Sequence, residues 1–302
     1  MAKNLYFFKI GFAHAEPLGQ EFKVFQTWLQ SRRNASMKWI ERKIEKREDV
    51  RNIIPAAKSV IVFAYNYKLD FQHRSDASFG KISRYKWGTD YHQLISNKLE
   101  KIISFIKELE PNSENIAYVD SGPVLEKAWA VRAGIGWQGK NSLILTEDYG
   151  SFFFLGLIIS SLEFKYNNPM PNLCGKCSIC TNLCPTQALN TPKILDANKC
   201  ISYWTIETKA RTNIPDEIAA NQRNWIFGCD ICQEVCPYNQ RAKHFCSDPD
   251  FIDHEPIIEL DINEIQNLNE DQYSTKFSDL PNKRFKLEIL KRNASAINRI
   301  TQ

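Results

Sequence analysis

The sequence lacks an apolar run long enough to cross a membrane, and its charge is nearly balanced. The longest such run, residues 152–162, falls well short of the roughly 20 residues that a bilayer needs. The N-terminus carries no small-residue cleavage pattern of a signal peptide, so we expect a soluble, cytoplasmic protein. The 39 basic and 35 acidic residues give a net charge of +4. This excess permits a nucleic-acid partner at a local patch without arguing for one.

Several common site motifs are absent or incomplete. There is no phosphate-binding Walker A sequence and no C-x3-C-x2-C run of a radical S-adenosylmethionine enzyme. The glycines at 134, 136 and 139 match G-x-G-x-x-G, but they follow a predicted helix where a Rossmann site needs a strand. Residues 90–95 partly match a D-x-H-x-x-G cobalamin motif, in which Ile95 replaces the glycine. We therefore do not predict His92 as a cobalt ligand.

All nine cysteines lie within residues 174–246. Cysteines three residues apart form poor disulfides, and such spacing in a cytosolic protein usually binds metal. The first run is C-x2-C-x2-C-x3-C-P, from Cys174 to Pro185, which is the bacterial ferredoxin spacing for 4Fe–4S clusters. In such pairs the fourth cysteine of a run ligates the neighbouring cluster.

A second run, Cys229 to Pro237, has the same ending but lacks its first cysteine, and Cys200 can fill that vacancy. The sequence therefore predicts two 4Fe–4S clusters, and Cys246 is left over as an ordinary thiol. One cluster would use Cys174, Cys177, Cys180 and Cys236, and the other Cys184, Cys200, Cys229 and Cys232. A module of several zinc ions is the alternative.

The order of helices and strands predicts an α+β fold. We expect a first domain over residues 1–165, a ferredoxin-like domain over 166–245 and a short helical segment over 246–302. The predicted helices cover residues 20–33, 36–48, 90–109 and the stretch from the Ser121–Pro123 turn to Arg132. The predicted strands cover 59–67 and 116–119, with a hairpin of 143–146 and 152–160.

A basic helix is predicted over residues 282–299. Its basic residues are Lys283, Arg284, Lys286, Lys291, Arg292 and Arg299. We favour a solvated helix packed on the main body, and the alternative is a face that contacts RNA phosphates.

The chain resembles the bacterial epoxyqueuosine reductases, which complete the queuosine base in tRNA. The likeness is carried by RYKWGTDYH (84–92), YVDSGPVLEKAWAVRAGIGWQGKNSLI (118–144), CGKCSICTNLCPTQAL (174–189), KCISYWTIE (199–207) and IFGCDICQEVCPYN (226–239). Their combination is more specific than a ferredoxin motif alone.

The resemblance implies cobalamin bound between the first domain and the clusters, without a protein histidine on cobalt. It implies reduction of the epoxide of epoxyqueuosine at the tRNA wobble position by two electrons and two protons. Asp120 would be the proton donor, and we expect desolvation to raise its pKa; its other interpretation is a turn or helix-cap carboxylate. The implied cobalamin contacts are Arg84, Tyr85, Asp120, Lys140, Asn141, Ser142, Ser202 and Asp230. Lys140 could equally be a surface lysine.

The chain departs from longer family members, which carry a helical-repeat extension after the cluster domain. We expect a monomer that acts on tRNA bearing epoxyqueuosine and receives electrons from an external donor. Three alternatives remain open: an electron-transfer subunit without a corrinoid, a dehalogenase-like cobalamin enzyme, and a structural iron–sulfur module that binds nucleic acid.

Overall fold

The computed structural model describes residues 1–253, 255–277 and 284–301. Within them the strands are β1 (Phe7–His14), β2 (Ser59–Asn66), β3 (Phe79–Ile82), β4 (Asn115–Tyr118), β5 (Trp137–Gln138), β6 (Ile144–Leu145), β7 (Phe153–Ser160), β8 (Trp225–Phe227) and β9 (Glu259–Asp261). The α-helices are α1 (Gly19–Gln30), α2 (Ile44–Glu48), α3 (Tyr91–Leu109), α4 (Glu126–Arg132), α5 (Ile179–Asn182), α6 (Ile201–Ile206), α7 (Asp216–Ala219), α8 (Ile231–Glu234), α9 (Pro237–Arg241), α10 (Ile262–Asn267), α11 (Glu270–Lys276) and α12 (Leu287–Thr301).

The main sheet has the order β1-β2-β7-β4, and all its neighbours are antiparallel. Every residue of β2 is buried, because successive side chains alternate between two cores. Ile61 packs in the core that contains Ile95 of α3. Val60 and Val62 pack in the other core, which contains Trp129 of α4. Helices therefore cover both faces of the sheet, and the continuous apolar run of β2 follows from that.

A smaller sheet joins three distant parts of the chain in the order β8-β3-β9. Strand β3 pairs in parallel with β8 and antiparallel with β9. Ile226 and Phe227 of β8 and Leu290 of α12 share one core with α3. The α+β class predicted from the sequence is confirmed. The division at residues 165 and 245 stays a prediction, although the second sheet draws strands from all three predicted parts.

The predicted hairpin of residues 143–146 and 152–160 is wrong. Strand β6 pairs with β5, whereas β7 pairs with β2 on one side and β4 on the other. A short bridge between Thr146 and Gly150 is all that remains of the expected pairing. Strand β7 is buried along nearly its whole length, so its place is at the centre of the sheet.

Three other boundaries differ from the prediction. The helix expected over 36–48 is divided into a 3-10 turn, Lys38–Glu41, and α2, because Lys43 between them adopts a left-handed backbone conformation with φ 53°. Helix α4 begins at Glu126 instead of Pro123, which leaves Asp120 in a loop. Strand β1, which pairs with β2 at the edge of the sheet, was not predicted from the sequence.

None of the helices in the described residues is long and apolar enough to span a bilayer.

A substitution at Gly11 tests how closely β1 approaches the end of α4. An added Cβ would lie 1.9 Å from the carbonyl oxygen of Ala133, so Gly11→Ala forces the strand and the helix apart. We expect the free energy of unfolding to fall by about 1–3 kcal/mol, measured by denaturant titration. Gly19→Ala at the start of α1 is the control, since nothing lies within 4 Å of its added Cβ. Equal stability of the two variants would contradict this packing.

Candidate functional site

An open cavity of about 440 Å³ lies against the main sheet. Its wall is mostly apolar, with a few ionisable groups. It is lined by Trp39, Ile40, Arg47, Tyr91, Asp120, Gly122, Val124, Leu125, Glu126, Lys127, Leu143, Ile144, Ser151, Phe153, Phe154 and Leu155. Apolar cavities of this size with a few polar groups are typical ligand sites.

Asp120 lies in the cavity wall within a network of polar groups. Its backbone is left-handed, with φ 54°, which holds it in the turn between β4 and α4. The Tyr91 hydroxyl donates a 2.8 Å hydrogen bond to Oδ2 of Asp120, and Nε2 of His92 lies 3.6 Å from the same oxygen. On its other side, His92 Nδ1 lies 2.8 Å from Oδ1 of Asp90. The backbone N–H of Asp120 donates to Glu126.

The pKa values of these groups are displaced in opposite directions. Burial raises the pKa of Asp120, but the interactions with His92 and Tyr91 outweigh it and leave that pKa below its usual value. The expected raised pKa of Asp120 is therefore wrong for this arrangement. Burial, together with the nearby Asp120 charge, raises the pKa of Glu126 to about 8. The hydrogen bonds with Asp120 and Asp90 raise the pKa of His92 to about 9. At neutral pH the site thus stores protons on His92 and Glu126.

The cysteines fall into the two predicted groups. Cys180 interacts electrostatically with the other three thiols of the first group, and Cys232 interacts with Cys184 and Cys200 of the second. Cys229 also interacts with Cys200 and Cys232. Cys246 lies elsewhere, with Sγ 4.0 Å from the Tyr65 hydroxyl.

These groups fit two clusters in their donor type and number. Among the described residues, no three His, Cys, Asp or Glu side chains converge enough to hold a single metal ion. The ligand assignment therefore depends on the cysteine spacing and on this grouping, and it stays a prediction. Cys180 also interacts with Cys232, so the two groups are neighbours.

Three hydrogen bonds connect the region of the cavity wall to the second cysteine run. Asn141 lies two residues before Leu143 of the cavity wall. Its Nδ2 donates to the carbonyl oxygen of Cys232 at 3.4 Å. The Ser151 hydroxyl donates to Gln233 Oε1 at 3.0 Å, and Ser151 N–H donates to Asn239 Oδ1 at 2.6 Å. The cavity is thus backed by the loop that carries the second cysteine run.

Of the other predicted cobalamin contacts, Arg84 and Asp230 are buried against each other. Arg84 N–H donates to Asp230 Oδ2 at 2.7 Å, and the guanidinium also pairs with Glu234. Burial raises the pKa of Asp230 to about 6. Lys140 Nζ donates to the carbonyl oxygens of Gly175 and Cys177 at 2.9 and 2.6 Å. It therefore supports the first cysteine loop.

The remaining predicted contacts are also outside the cavity lining. The aromatic ring of Tyr85 packs between those of Tyr91 and Phe227. Ser142 is buried with a left-handed backbone, and its carbonyl oxygen accepts from Lys127 at 3.1 Å. Ser202 lies beside the Cys200 thiol, to which its backbone N–H donates. The roles of these residues toward cobalamin stay predictions.

A second cavity, of about 390 Å³, has a basic lining. Its charged residues are Glu207, Lys209, Arg211, Arg284, Lys286 and Glu288. Arg284 pairs with Glu207, and both side chains also interact electrostatically with Asp120. We call this cavity the basic cleft; it lies near the first cavity.

The basic helix predicted over 282–299 is confirmed in part as α12, although residues 282 and 283 lie outside the described part. Arg292 donates to the carbonyl oxygens of Trp204 and Lys209, and Arg299 pairs with Asp216. These two arginines therefore hold α12 to the main body, as the packed-helix interpretation expects. Lys286 remains exposed at the basic cleft.

Two family models match the chain: that of epoxyqueuosine reductase QueG, DUF1730, over residues 47–121, and that of a 4Fe–4S double cluster binding domain over residues 173–239. An epoxyqueuosine reductase of Synechocystis sp. is 40% identical over 271 residues, which cover 90% of this chain and 93% of the relative.

Solved structures agree with this match. An epoxyqueuosine reductase with a tRNA-Tyr epoxyqueuosine-modified stem loop gives a TM-score of 0.89 at 31% identity, covering 99% of this chain and 79% of that one. A Bacillus subtilis epoxyqueuosine reductase, with its aspartate catalytic loop swung out of the active site, gives 0.87 at 30% identity, covering 99% and 79%.

The coupling of His92 to Asp120 can be measured by NMR titration of the imidazole. We expect a pKa of about 9 for His92, and Asp120→Asn should lower it, because the substitution removes a negative charge that favours the protonated imidazole. The raised pKa means that His92 stabilises the fold below its unfolded pKa of about 6.5 and that this contribution is lost as the pH rises through about 9.

The control for this titration is Asp271→Asn at an exposed position of α11, which should leave the pKa of His92 unchanged. A His92 that titrates identically in the Asp120→Asn variant would refute the coupling.

Proposed function

The chain belongs to the epoxyqueuosine reductase family, and we propose that Asp120 is the acid of its reaction, facing a cobalamin held in the first cavity. The enzyme is an oxidoreductase that reduces epoxyqueuosine in tRNA and carries a 4Fe–4S double-cluster domain. The observation that carries the proposal is the position of Asp120 in an apolar cavity backed by the cysteine loop. The aspartate catalytic loop of the Bacillus subtilis relative supports it.

The cavity fits one face of a corrin ring in its chemistry. Ile40, Val124, Leu143 and Phe154 offer apolar contacts, and Asp120 stands among them. When bound, cobalamin would supply a low-valent cobalt that takes up single electrons and opens the epoxide. The protein's part is to exclude water with the apolar wall and to place an acid beside the epoxide oxygen.

Asp120 would deliver a proton to the oxygen that leaves the carbon. Its lowered pKa makes it a poor acid when the cavity holds water, but loss of that water on substrate binding raises a carboxyl pKa. His92 then serves as the proton store, since its Nε2 lies 3.6 Å from Asp120 Oδ2 and Asp90 holds its opposite nitrogen. The proton path is His92, then Asp120, then the substrate oxygen.

The two groups of cysteines would form a route for electrons from the surface to the cavity. Cys177 of the first group is exposed, whereas Cys232 of the second is linked to the cavity wall through Asn141. Electrons would enter at the first cluster, pass to the second and reach the cavity. This order also explains why the first run is held by Lys140, whose positive charge offsets that of an anionic cluster.

The basic cleft would hold the tRNA backbone close to Asp120. Lys209, Arg211 and Lys286 line it, and cationic side chains neutralise phosphates in a salt-dependent manner. A tRNA substrate also supports the cytoplasmic location expected from the sequence. The monomeric state stays a prediction.

Replacement of the acid separates catalysis from cofactor binding. In enzyme reconstituted with iron, sulfide and cobalamin, we expect Asp120→Asn to lower turnover of epoxyqueuosine-containing tRNA by about 10²–10⁴-fold. The visible absorption of the clusters and the corrinoid should be retained. Asp271→Asn serves as the matched control with normal turnover. An Asp120→Asn enzyme with wild-type turnover would overturn the assignment, and holoprotein without affinity for any corrinoid would overturn the cobalamin proposal.

Neutralising the basic cleft should weaken tRNA binding. We expect Lys286→Gln to raise the dissociation constant and to reduce the slope of log affinity against log salt by about 0.7–0.9, the loss of one phosphate contact. Lys107→Gln, at the exposed end of α3, is the control and should change neither. Filter binding or fluorescence anisotropy at several salt concentrations measures both. An unchanged slope for Lys286→Gln would place the RNA elsewhere.

A further inference from the structure

The first cysteine loop presents an unusual surface. The structure describes all nine cysteines, and Cys177 is the only one of them that is exposed. Beside it Ile179 and Leu183 are 41% and 46% exposed. Leu183 N–H donates to the carbonyl oxygen of Ile179, so the two apolar side chains, at the first residue of α5 and directly after its end, lie one helical turn apart. With Lys176 they form what we call the donor face.

The segment of the sequence that carries this face has charges of one sign only. The sequence has no Asp or Glu between Glu163 and Asp196, and the lysines in that stretch include the exposed Lys176 and Lys193. Lys193 N–H donates to the carbonyl oxygen of Lys140, whose own Nζ reaches the loop at Gly175. Lysines thus gather around an exposed thiol and a small apolar patch. Such a surface is complementary to an acidic partner.

We propose that the donor face, formed by Lys176, Cys177, Ile179 and Leu183, docks a small acidic one-electron carrier protein of the ferredoxin type. The inference rests on the proposed function, since it requires a cluster at the first cysteine group. In each encounter the carrier's reduced 2Fe–2S centre loses one electron and the first cluster gains it, with no proton transferred. Two encounters supply the two electrons of one turnover.

The size of the face fits this kind of partner. Electron-transfer encounters bury little surface and dissociate quickly, so two apolar side chains within a basic border suffice. The steep loss of electron-transfer rate with distance favours docking where a ligand thiol is exposed. The second cysteine group does not offer such a place, because Cys229 and Cys232 are not exposed and lie beside Asp230.

The test uses reconstituted holoenzyme and a reduced plant-type 2Fe–2S ferredoxin. For Lys176→Glu and for the Ile179→Ser/Leu183→Ser pair, we expect at least about tenfold weaker ferredoxin affinity by calorimetry. Reduction of the clusters by ferredoxin, followed by stopped-flow absorbance, should slow to a similar degree. Reduction by dithionite, which needs no docking, should stay at the wild-type rate.

A matched control exists on α3. Phe105 and Leu109 are 43% and 65% exposed and are also one helical turn apart, so Phe105→Ser/Leu109→Ser should leave ferredoxin binding unchanged. The proposal is overturned if the donor-face variants bind and accept electrons normally, if dithionite reduction slows equally, or if they lose tRNA affinity instead. Failure of the proposed function would look different: normal reduction of the clusters without turnover of epoxyqueuosine.

Discussion

The structure depends on satisfying the polar groups of the cysteine loops with partners from the sheet domain. A buried amide that has no hydrogen-bond partner lowers the free energy of unfolding by roughly 1–3 kcal/mol, and a buried carboxylate without one lowers it by more. Asp230 is buried, and its oxygens accept from Ser83 and from the backbone N–H of Arg84. Asn239 is buried against Ser151. These bonds fix the loop that carries Cys232 and Cys236 against the sheet, beside the cavity-lining Ser151.

Under the proposed function, a reducing centre and an acid share one cavity. The sheet contributes Phe153 and Phe154, which keep the wall apolar, while the β4–α4 turn contributes Asp120. Two neighbouring carboxyls there have pKa values displaced in opposite directions, that of Asp120 downward and that of Glu126 to about 8. Such a separation is typical of sites that run acid–base chemistry near neutral pH. The left-handed backbone of Asp120 points to the same conclusion, because unusual backbone conformations cluster at active sites.

The sequence predicted best where chemistry is encoded by local spacing. The cysteine runs predicted two groups of neighbouring thiols, including Cys200, which interacts with Cys229 and Cys232 about 30 residues away. It predicted poorly where an outcome depends on distant neighbours. The short turn before β7 predicted a hairpin, but β7 pairs with β2 on one edge and with β4 on the other. Desolvation alone predicts a raised pKa for Asp120. The pKa is lowered instead because His92 and Tyr91 of another element, α3, interact with the carboxylate, and no spacing in the sequence reveals those contacts.

Under the proposed function, the exposure of Cys177 in the first cysteine group gives the electron path a direction. An electron carrier would approach Cys177 at the surface, whereas Cys232 is less exposed and its carbonyl oxygen accepts from Asn141. Separating the entry face from the cavity also separates two negatively charged partners, since the basic cleft is formed by the α6–α7 connection and the start of α12. An acidic carrier and an RNA would otherwise compete for one basic surface. Separate surfaces for the carrier and the tRNA would therefore allow the clusters to be reduced while tRNA remains bound.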